Sequence, residues 1–268
     1  MKIAALNTEI QIGNYQANRC PRVWIAGTRN APLTRYGVTL PDPAGDLYRS
    51  IRKGDLAAIR IGYRDEGAAL WEGTVDWKSR GTTQDQIEVG IAGQDLPFSN
   101  TIITQSWENE SPEAIVKWAI AQAGMTAGRI DSPGVIFPRF SAPEIPVWQV
   151  ARQCAYTCLY AFGIDMNGWA FWLGADNKVN WGNFDEDGDM PVIATGAGLI
   201  RHLPSETKTG LSEIETFLLA DFRHSMRFRL IDERRGMDTE FRALGVLHDI
   251  KPDQARTYLR YGEEHAGF

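Results

Sequence analysis

Ala57-Ala-Ile-Arg-Ile-Gly-Tyr63, Leu70-Trp-Glu-Gly-Thr-Val-Asp-Trp77 and Gln86-Ile-Glu-Val-Gly-Ile-Ala92 follow one another along the chain. In the third, Ile87, Val89 and Ile91 alternate with Gln86, Glu88 and Gly90; in the first, Ile59 and Ile61 flank Arg60. A period of two puts one row of side chains on a buried face and the other in water. Lys53-Gly54-Asp55 and Arg64-Asp65-Glu66-Gly67 are turn sequences, and the polar run Lys78 to Asp85 joins the second stretch to the third. Residues 51–95 therefore predict three consecutive antiparallel strands.

Upstream, Arg22-Val-Trp-Ile-Ala26 and Tyr36-Gly-Val-Thr-Leu40 are strand-like, and Pro41-Asp-Pro-Ala-Gly45 breaks the pattern. With the meander they make about five strands, so residues 1–98 read as a first small β-barrel. After Asp95 the period changes. Ser111-Pro112-Glu113 is a helix start: a hydroxyl cap, proline at the first helical position and an acid against the dipole. Ile115, Val116, Ala119, Ile120 and Ala123 recur at helical spacing up to Gly124, and a second helix beginning near Pro146 aligns Val147, Val150, Ala151, Cys154, Ala155 and Cys158. The proline-rich connector between them, Ser132 to Pro146, reads as irregular. Tyr160 to Asp165 and Trp169 to Leu173 flank Met166-Asn167-Gly168 as a hairpin, and Val179-Asn-Trp181 pairs back after a turn at Asp176-Asn177. Residues 99–192 thus read as an α/β middle subdomain with two helices and a β-hairpin. From Leu199 the period returns to two, in Ser225 to Ile231, Phe241 to His248 and Thr257 to Tyr261, with a polar loop from Asp232 to Asp238. That repeats the plan of residues 57–92, so residues 193–268 read as a second β-barrel. The expected fold class is α+β, mainly β: two related small antiparallel β-barrels with an intervening α/β subdomain.

A chain of 268 residues, 43% hydrophobic, can bury a sizeable core. No run of about 18 apolar residues predicts a transmembrane helix, and Glu9 comes too early in Met1 to Glu9 for a signal peptide. Cys20, Cys154 and Cys158, an odd number in a long chain, argue against a disulfide framework. The net charge of −6 is unevenly placed: residues 99–192 hold 5 Lys+Arg against 11 Asp+Glu, and the flanking regions are close to balanced. No basic stripe of the kind that nucleic-acid binders carry is visible.

Few motifs invite chemistry. Asn183-Phe-Asp185-Glu-Asp187-Gly188-Asp189 begins like a calcium loop, but the twelfth position is Ala194, where a bidentate Glu is required, so it reads as a solvated acidic turn. Cys154 and Cys158 lie one helical turn apart without a companion ligand near them in sequence, and read as small core residues. His248 reads as a structural histidine at a strand end. Gly-x-Ser-x-Gly, phosphate-loop and dinucleotide motifs are absent. Glu108 with Glu110, and Asp185 with Asp187, are local pairs on polar segments, whereas a glycosidase holds two acids about 5–10 Å apart across a cleft. The nine tryptophans read as core and interface anchors. No catalytic, cofactor-binding or metal residue is selected.

The order of elements resembles the baseplate hub proteins of contractile-tailed bacteriophages, including the late control D type and the hub of Mu-like phages. The resemblance is carried by Gly54-Asp55 before a strand, Glu72-Gly73-Thr-Val75, Gln86-Ile87 through Gln94-Asp95-Leu96, and the helix after Ser111. It continues through Gly163 to Trp169, Gly245-Val-Leu-His248, Thr257-Tyr-Leu and Tyr261-Gly262, spanning roughly Ile51 to Gly262 in short, degenerate motifs. It implies a structural virion component of a phage or prophage, not an enzyme and without cofactor, made in the host bacterial cytoplasm and built into the tail baseplate. It implies a homotrimer whose six quasi-equivalent barrels join a sixfold tail tube to a threefold spike, with tube and spike proteins as partners. Two other classes stay open on the residues alone: a peptidoglycan-degrading tail enzyme using acids of the middle region, and a monomeric sugar- or protein-binding β module.

A hub must let DNA pass without holding it, and the acidic middle region fits that sign. Duplex DNA is expected not to bind in an anisotropy titration at low salt, where electrostatic affinity is strongest. Micromolar binding that weakens steeply with salt would overturn this expectation.

Overall fold

The alternating stretch folds as antiparallel strands, and hydrogen bonding extends them into a much larger sheet than the period alone predicts. The computed structural model describes residues 6–18, 21–29, 33–63, 67–81, 83, 85–166, 168–183, 190–207 and 210–262. Its first part comprises β1 (Leu6–Ile12), β2 (Tyr15–Ala17), β3 (Arg22–Thr28), β4 (Arg35–Pro41), the short helix α1 (Asp46–Ser50), β5 (Leu56–Tyr63), β6 (Gly67–Arg80) and β7 (Gln86–Gly93). β5, β6 and β7 pair in succession, with Ile59 opposite Trp71 and Val75 opposite Ile91. Ile59, Ile61, Ile87, Val89 and Ile91 are fully buried in one core with Ile10, Ile12, Val23, Ile25, Val38 and Leu40. β6 outruns its expected length, and a register shift between Val75 and Trp77 turns the Trp77 indole onto the outer face. There it covers Gly90, as Trp24 covers Gly37, and neither glycine has room for a Cβ. β1 is a strand that the short apolar patch did not announce; Thr8, Ile10 and Ile12 face the core in strict alternation. The turn expected at Arg64 to Glu66 lies outside the described residues.

The middle part comprises α2 (Pro97–Asn100), β8 (Ile102–Glu110), α3 (Pro112–Gln122), β9 (Ala127–Ile130), β10 (Phe137–Pro146), α4 (Val147–Phe162), β11 (Ala170–Leu173) and β12 (Val179–Gly182). α3 starts as expected: the Ser111 hydroxyl accepts from the Ala114 amide at 3.4 Å, and Gly124 (φ +70°) follows its end. The apolar face expected for α4 is buried at all six positions. Two expectations need correction here. The connector is irregular only from Ser132 to Ile136; from Phe137 it is β10, which pairs with β8 as a two-stranded ribbon, and Pro143 sits where the register shifts between Ala142 and Ile145. With no third strand, a proline there costs no central ladder bond. Tyr160 to Phe162 are the last turn of α4, not a strand. Gly163 (φ +66°) closes that helix, with its amide donating to Leu159 O and the Ile164 amide to Cys158 O, the left-handed glycine stop. Trp169 to Leu173 and Val179 to Trp181 do pair, as β11 and β12, with β9 parallel to β12; Asn167 lies outside the described residues.

The last part comprises β13 (Val192–Thr195), β14 (Gly198–Leu203), β15 (Ser212–Phe217), β16 (Arg227–Asp232), β17 (Met237–Arg242), β18 (Gly245–Lys251) and β19 (Gln254–Tyr261). Residues 225–262 do not form the meander of residues 57–92. β16 pairs with β17 and lies parallel to β13, whereas β18 pairs with β19 and β3. Ser225, expected to open a strand, has φ +70° and precedes it. The likeness between the halves lies elsewhere. In the order β3-β4-β7-β6-β5 a hairpin is followed by a three-strand unit read backwards, and β18-β19-β15-β14-β13 repeats that order with the two units exchanged along the chain.

The antiparallel β3–β18 pair, from Val23 opposite Ile250 to Thr28 opposite Gly245, makes one fourteen-stranded sheet of both halves. The sheet is not closed into barrels. β3 and β18, which closure of each half would have to engage, are bonded to each other, and the order runs open from β17 to β2. Among the described residues the larger apolar cores lie under residues 10–91, joined by Leu218 and Ile250, in the helical middle part, and around Phe222, Phe228 and Leu259, with Ala170 and Trp172 packed apart from them.

Phe228 has no exposed surface and meets the rings of Phe222, Phe241 and Tyr261. Replacing Phe228 with Asp buries an unpaired charge, with an expected loss of about 3–5 kcal/mol in urea unfolding. An unchanged midpoint and slope would show that Phe228 is outside the core.

Candidate functional site

Buried polar groups concentrate where the two halves of the sheet meet. The link from β15 to β16 crosses this seam: Leu218 packs in the first core and Phe222 in the last. Trp71 Nε1 donates to Ala220 O at 3.0 Å, the Leu219 amide donates to Thr257 Oγ1 at 2.9 Å, and the Arg223 guanidinium lies 4.2 Å from the Trp71 ring centre. Sequence reasoning passed over this link because it has no period of either kind.

His248 lies within β18, not at its end, and is fully buried. Its Nε2 is 2.9 Å from Phe222 O, so that nitrogen carries the proton, and its Nδ1 accepts from the Thr257 hydroxyl at 2.8 Å. Both ring nitrogens are satisfied, and the structural reading of His248 holds. Burial, with Arg223 nearby, pushes His248 down to about 4 and the neighbouring His224 down to about 3. Asp95 is buried beside them. Its Oδ2 accepts from the Thr34 amide at 2.7 Å and hydroxyl at 2.6 Å, and burial pushes it up to about 6. The cavity between Thr34, Trp71, Phe222, Arg223, His224 and His248 is about 10 Å³, room for at most one water. The cavity among these side chains is small, and a wider one of about 390 Å³ lies on the seam strands, lined by Thr28, Glu213, Asp249, Tyr258 and Arg260.

A second buried constellation lies under β14: His202 Nδ1 meets Asp232 Oδ2 at 2.7 Å and its Nε2 meets the Tyr261 hydroxyl at 2.6 Å. Asp232 also takes the Arg234 amide and Arg235 Nη1, and the His202 contact leads in holding its carboxyl below the usual range. The order Asp–His–Tyr resembles a charge-relay chain, but His202 and Tyr261 are buried and the bonds are mutual, so none of the three faces a reactant. The sequence signal for it was weak, since the three residues lie in separate strands.

The residues weighed from sequence fall as follows. Cys154 and Cys158 are free, buried in the middle core, and pushed upward in pKa by that burial, Cys158 to about 12. Glu108 and Glu110 sit on β8; Glu108 pairs with Arg139 at 2.9 Å and Glu110 accepts the Ser111 amide at 3.0 Å, so each has a local task. Asp185 and Asp187 lie outside the described residues, as does Cys20. Among the described residues no cluster of three His, Cys, Asp or Glu could hold a metal ion, and no helix is long and apolar enough to cross a membrane.

The outer face of the sheet is laced by ion pairs, Arg22 and Lys251 on Asp249, and Arg201, Arg256 and Arg260 on Glu213 and Glu215. Large apolar side chains stand out of each part, including Leu56 at 75% and Tyr160 at 77% exposure, with Val192 and Leu211. The outermost strands β2 and β17 pair on one side only.

No protein-family model matches the chain, and no curated protein matches it. Solved structures do. The 43 kDa tail protein of prophage MuSo2 from Shewanella oneidensis superposes with TM-score 0.70 at 11% identity, over 96% of this chain and 98% of that one. The tail protein from Neisseria meningitidis MC58 does so at 0.69 and 12%, over 98% of each. The E. coli c3393 protein, described as a component of the type VI secretion system with structural similarity to the T4 bacteriophage tail proteins gp27 and gp5, gives 0.60 and 11%, over 97% of this chain and 78% of that one. The fold is that of prophage tail proteins, in agreement with the resemblance to the Mu-like tail hub.

The seam histidines set an acid response. The unfolded chain takes a proton near pH 6.5 that folded His248 refuses until about pH 4, so its contribution is present above 6.5 and lost as pH falls toward 4, about 3 kcal/mol over that window. Asp95 works the other way, destabilising at pH 7 and relieved below about 6. In urea titrations the His248→Gln variant should lose less stability between pH 7 and 4.5 than the parent; an equal loss would show that His248 does not resist protonation.

Proposed function

We propose that this chain is a structural subunit of a phage or prophage tail baseplate hub, made in the host cytoplasm and incorporated in the virion. The observation that supports it most is the likeness to two prophage tail proteins over nearly the whole length of both chains. In this reading three copies form a ring. The two halves of each sheet, residues 1–98 and 193–268, curl as related barrel walls around the middle subdomain, residues 99–192. Six such walls meet the sixfold tail tube on one side and the threefold spike on the other, with tube and spike proteins as partners. Function then resides in symmetry and surface, not in a catalytic centre. The locally engaged acids of β8 support a non-enzymatic role.

The test is mass in solution across a concentration series, by light scattering, alone and with the cognate spike protein. A three-chain species is expected. A strict monomer under both conditions would overturn the ring, and clearing of a cell-wall suspension by the pure protein would overturn the non-enzymatic role.

A further inference from the structure

The small cavity at the seam is bordered by polar groups whose hydrogen bonding inside the protein is incomplete. Gly27, Thr34, Trp71, Arg223 and His224 are among the residues that line it. The Arg223 guanidinium lies over the Trp71 ring, and its Nε is buried without an acceptor. His224 is 6% exposed, and its Nδ1 meets the Ser225 hydroxyl at 3.1 Å. Its Nε2 lies toward Gly27, 3.9 Å from the point where a Cβ on that glycine would stand. Thr34 Oγ1 is 3.7 Å from the same point, and its proton is committed to Asp95 Oδ2 at 2.6 Å. A buried polar atom left without a partner costs more than an ordinary hydrogen bond contributes.

We propose that the seam cavity is a binding site for one water molecule, which accepts from Arg223 Nε, donates to Thr34 Oγ1 and bonds His224 Nε2. The chemistry of the lining selects this occupant. Arg223 Nε–H can only donate, and Thr34 Oγ1, with its proton spent on Asp95, can only accept, so a ligand that serves both must accept from one and donate to the other. Water does this. A chloride ion only accepts, and an ammonium or metal ion brings a positive charge that the Arg223 guanidinium opposes. His224 Nε2 is served in either tautomer, because water can turn to meet it as donor or acceptor. A cavity of about 10 Å³ with three polar partners is what one buried water requires. The water joins Thr34, at the entry to β4, to Arg223 and His224 on the link from β15 to β16, and so becomes part of the junction between the two halves. Gly27 keeps the site open, since a Cβ there would stand 3.0 Å from His224 Cδ2 and crowd the imidazole. The site belongs to the single chain and holds whatever number of copies assemble.

The test is a crystal structure of the full chain at a resolution that shows ordered water, with a second crystal soaked in bromide. A single density peak is expected within about 2.6–3.2 Å of Arg223 Nε, Thr34 Oγ1 and His224 Nε2, without anomalous signal after the soak. Anomalous signal at that position would make this an anion site and overturn the proposal. A cavity without density between the same side chains would overturn it too. The Gly27→Ala variant gives an independent reading: the peak should vanish while the register of β3 on β18 is kept. A peak that stays in place beside the new methyl group would show that the water is not held in this cavity, and the assignment would fall.

Discussion

The β3–β18 pair is the constraint on which the molecule depends. Without it the two halves are separate curled sheets; with it, a strand from the first part and one from the last exchange six opposed positions and the chain becomes one sheet. Backbone pairing alone would leave the seam's inner side wet, and the link from Leu218 to Met226 seals it, through Trp71, Thr257, His248 and Phe222. Each of these contacts joins residues far apart in sequence, so the seam can form only after both halves are largely in place.

The seam also explains why three strongly perturbed groups lie together. His224, His248 and Asp95 are displaced chiefly by burial, and burial is the consequence of joining two hydrophobic cores across a polar line of strands. Perturbed pKa values in a cleft point to catalysis; the same values around a cavity the size of one water point to a fastening. The Asp232–His202–Tyr261 chain carries the same lesson at the far end of the sheet. The outer face carries cross-strand ion pairs, and several large apolar side chains remain exposed.

The likeness to prophage tail proteins comes at 11–12% identity. The features that carried the resemblance in the sequence were a glycine-aspartate turn before β5, the β6–β7 return, a capped helix, and the aromatic strand after Gly168.

The sequence by itself determined the local structure wherever one face is buried and the other solvated. The alternation of β5, β7 and β16, the Ser111 cap of α3 and the six-residue apolar face of α4 were legible because burial writes a period into neighbouring residues. The helical spacing of Cys154 and Cys158 placed them on the buried face of α4, where they lie. The sequence misread the ends and the partners. Tyr160 to Phe162 look like a strand but extend α4, because the helix stop is a single glycine, and Phe137 to Pro146 look irregular because prolines are tolerated on a ribbon without further strands. Which strand lies beside which was decided only in the tertiary structure. A strand's period names its buried face and is silent about its two edges, so β18 could equally have paired with β17; packing of Leu218, Phe222 and Ile250 across the seam is what favours β3.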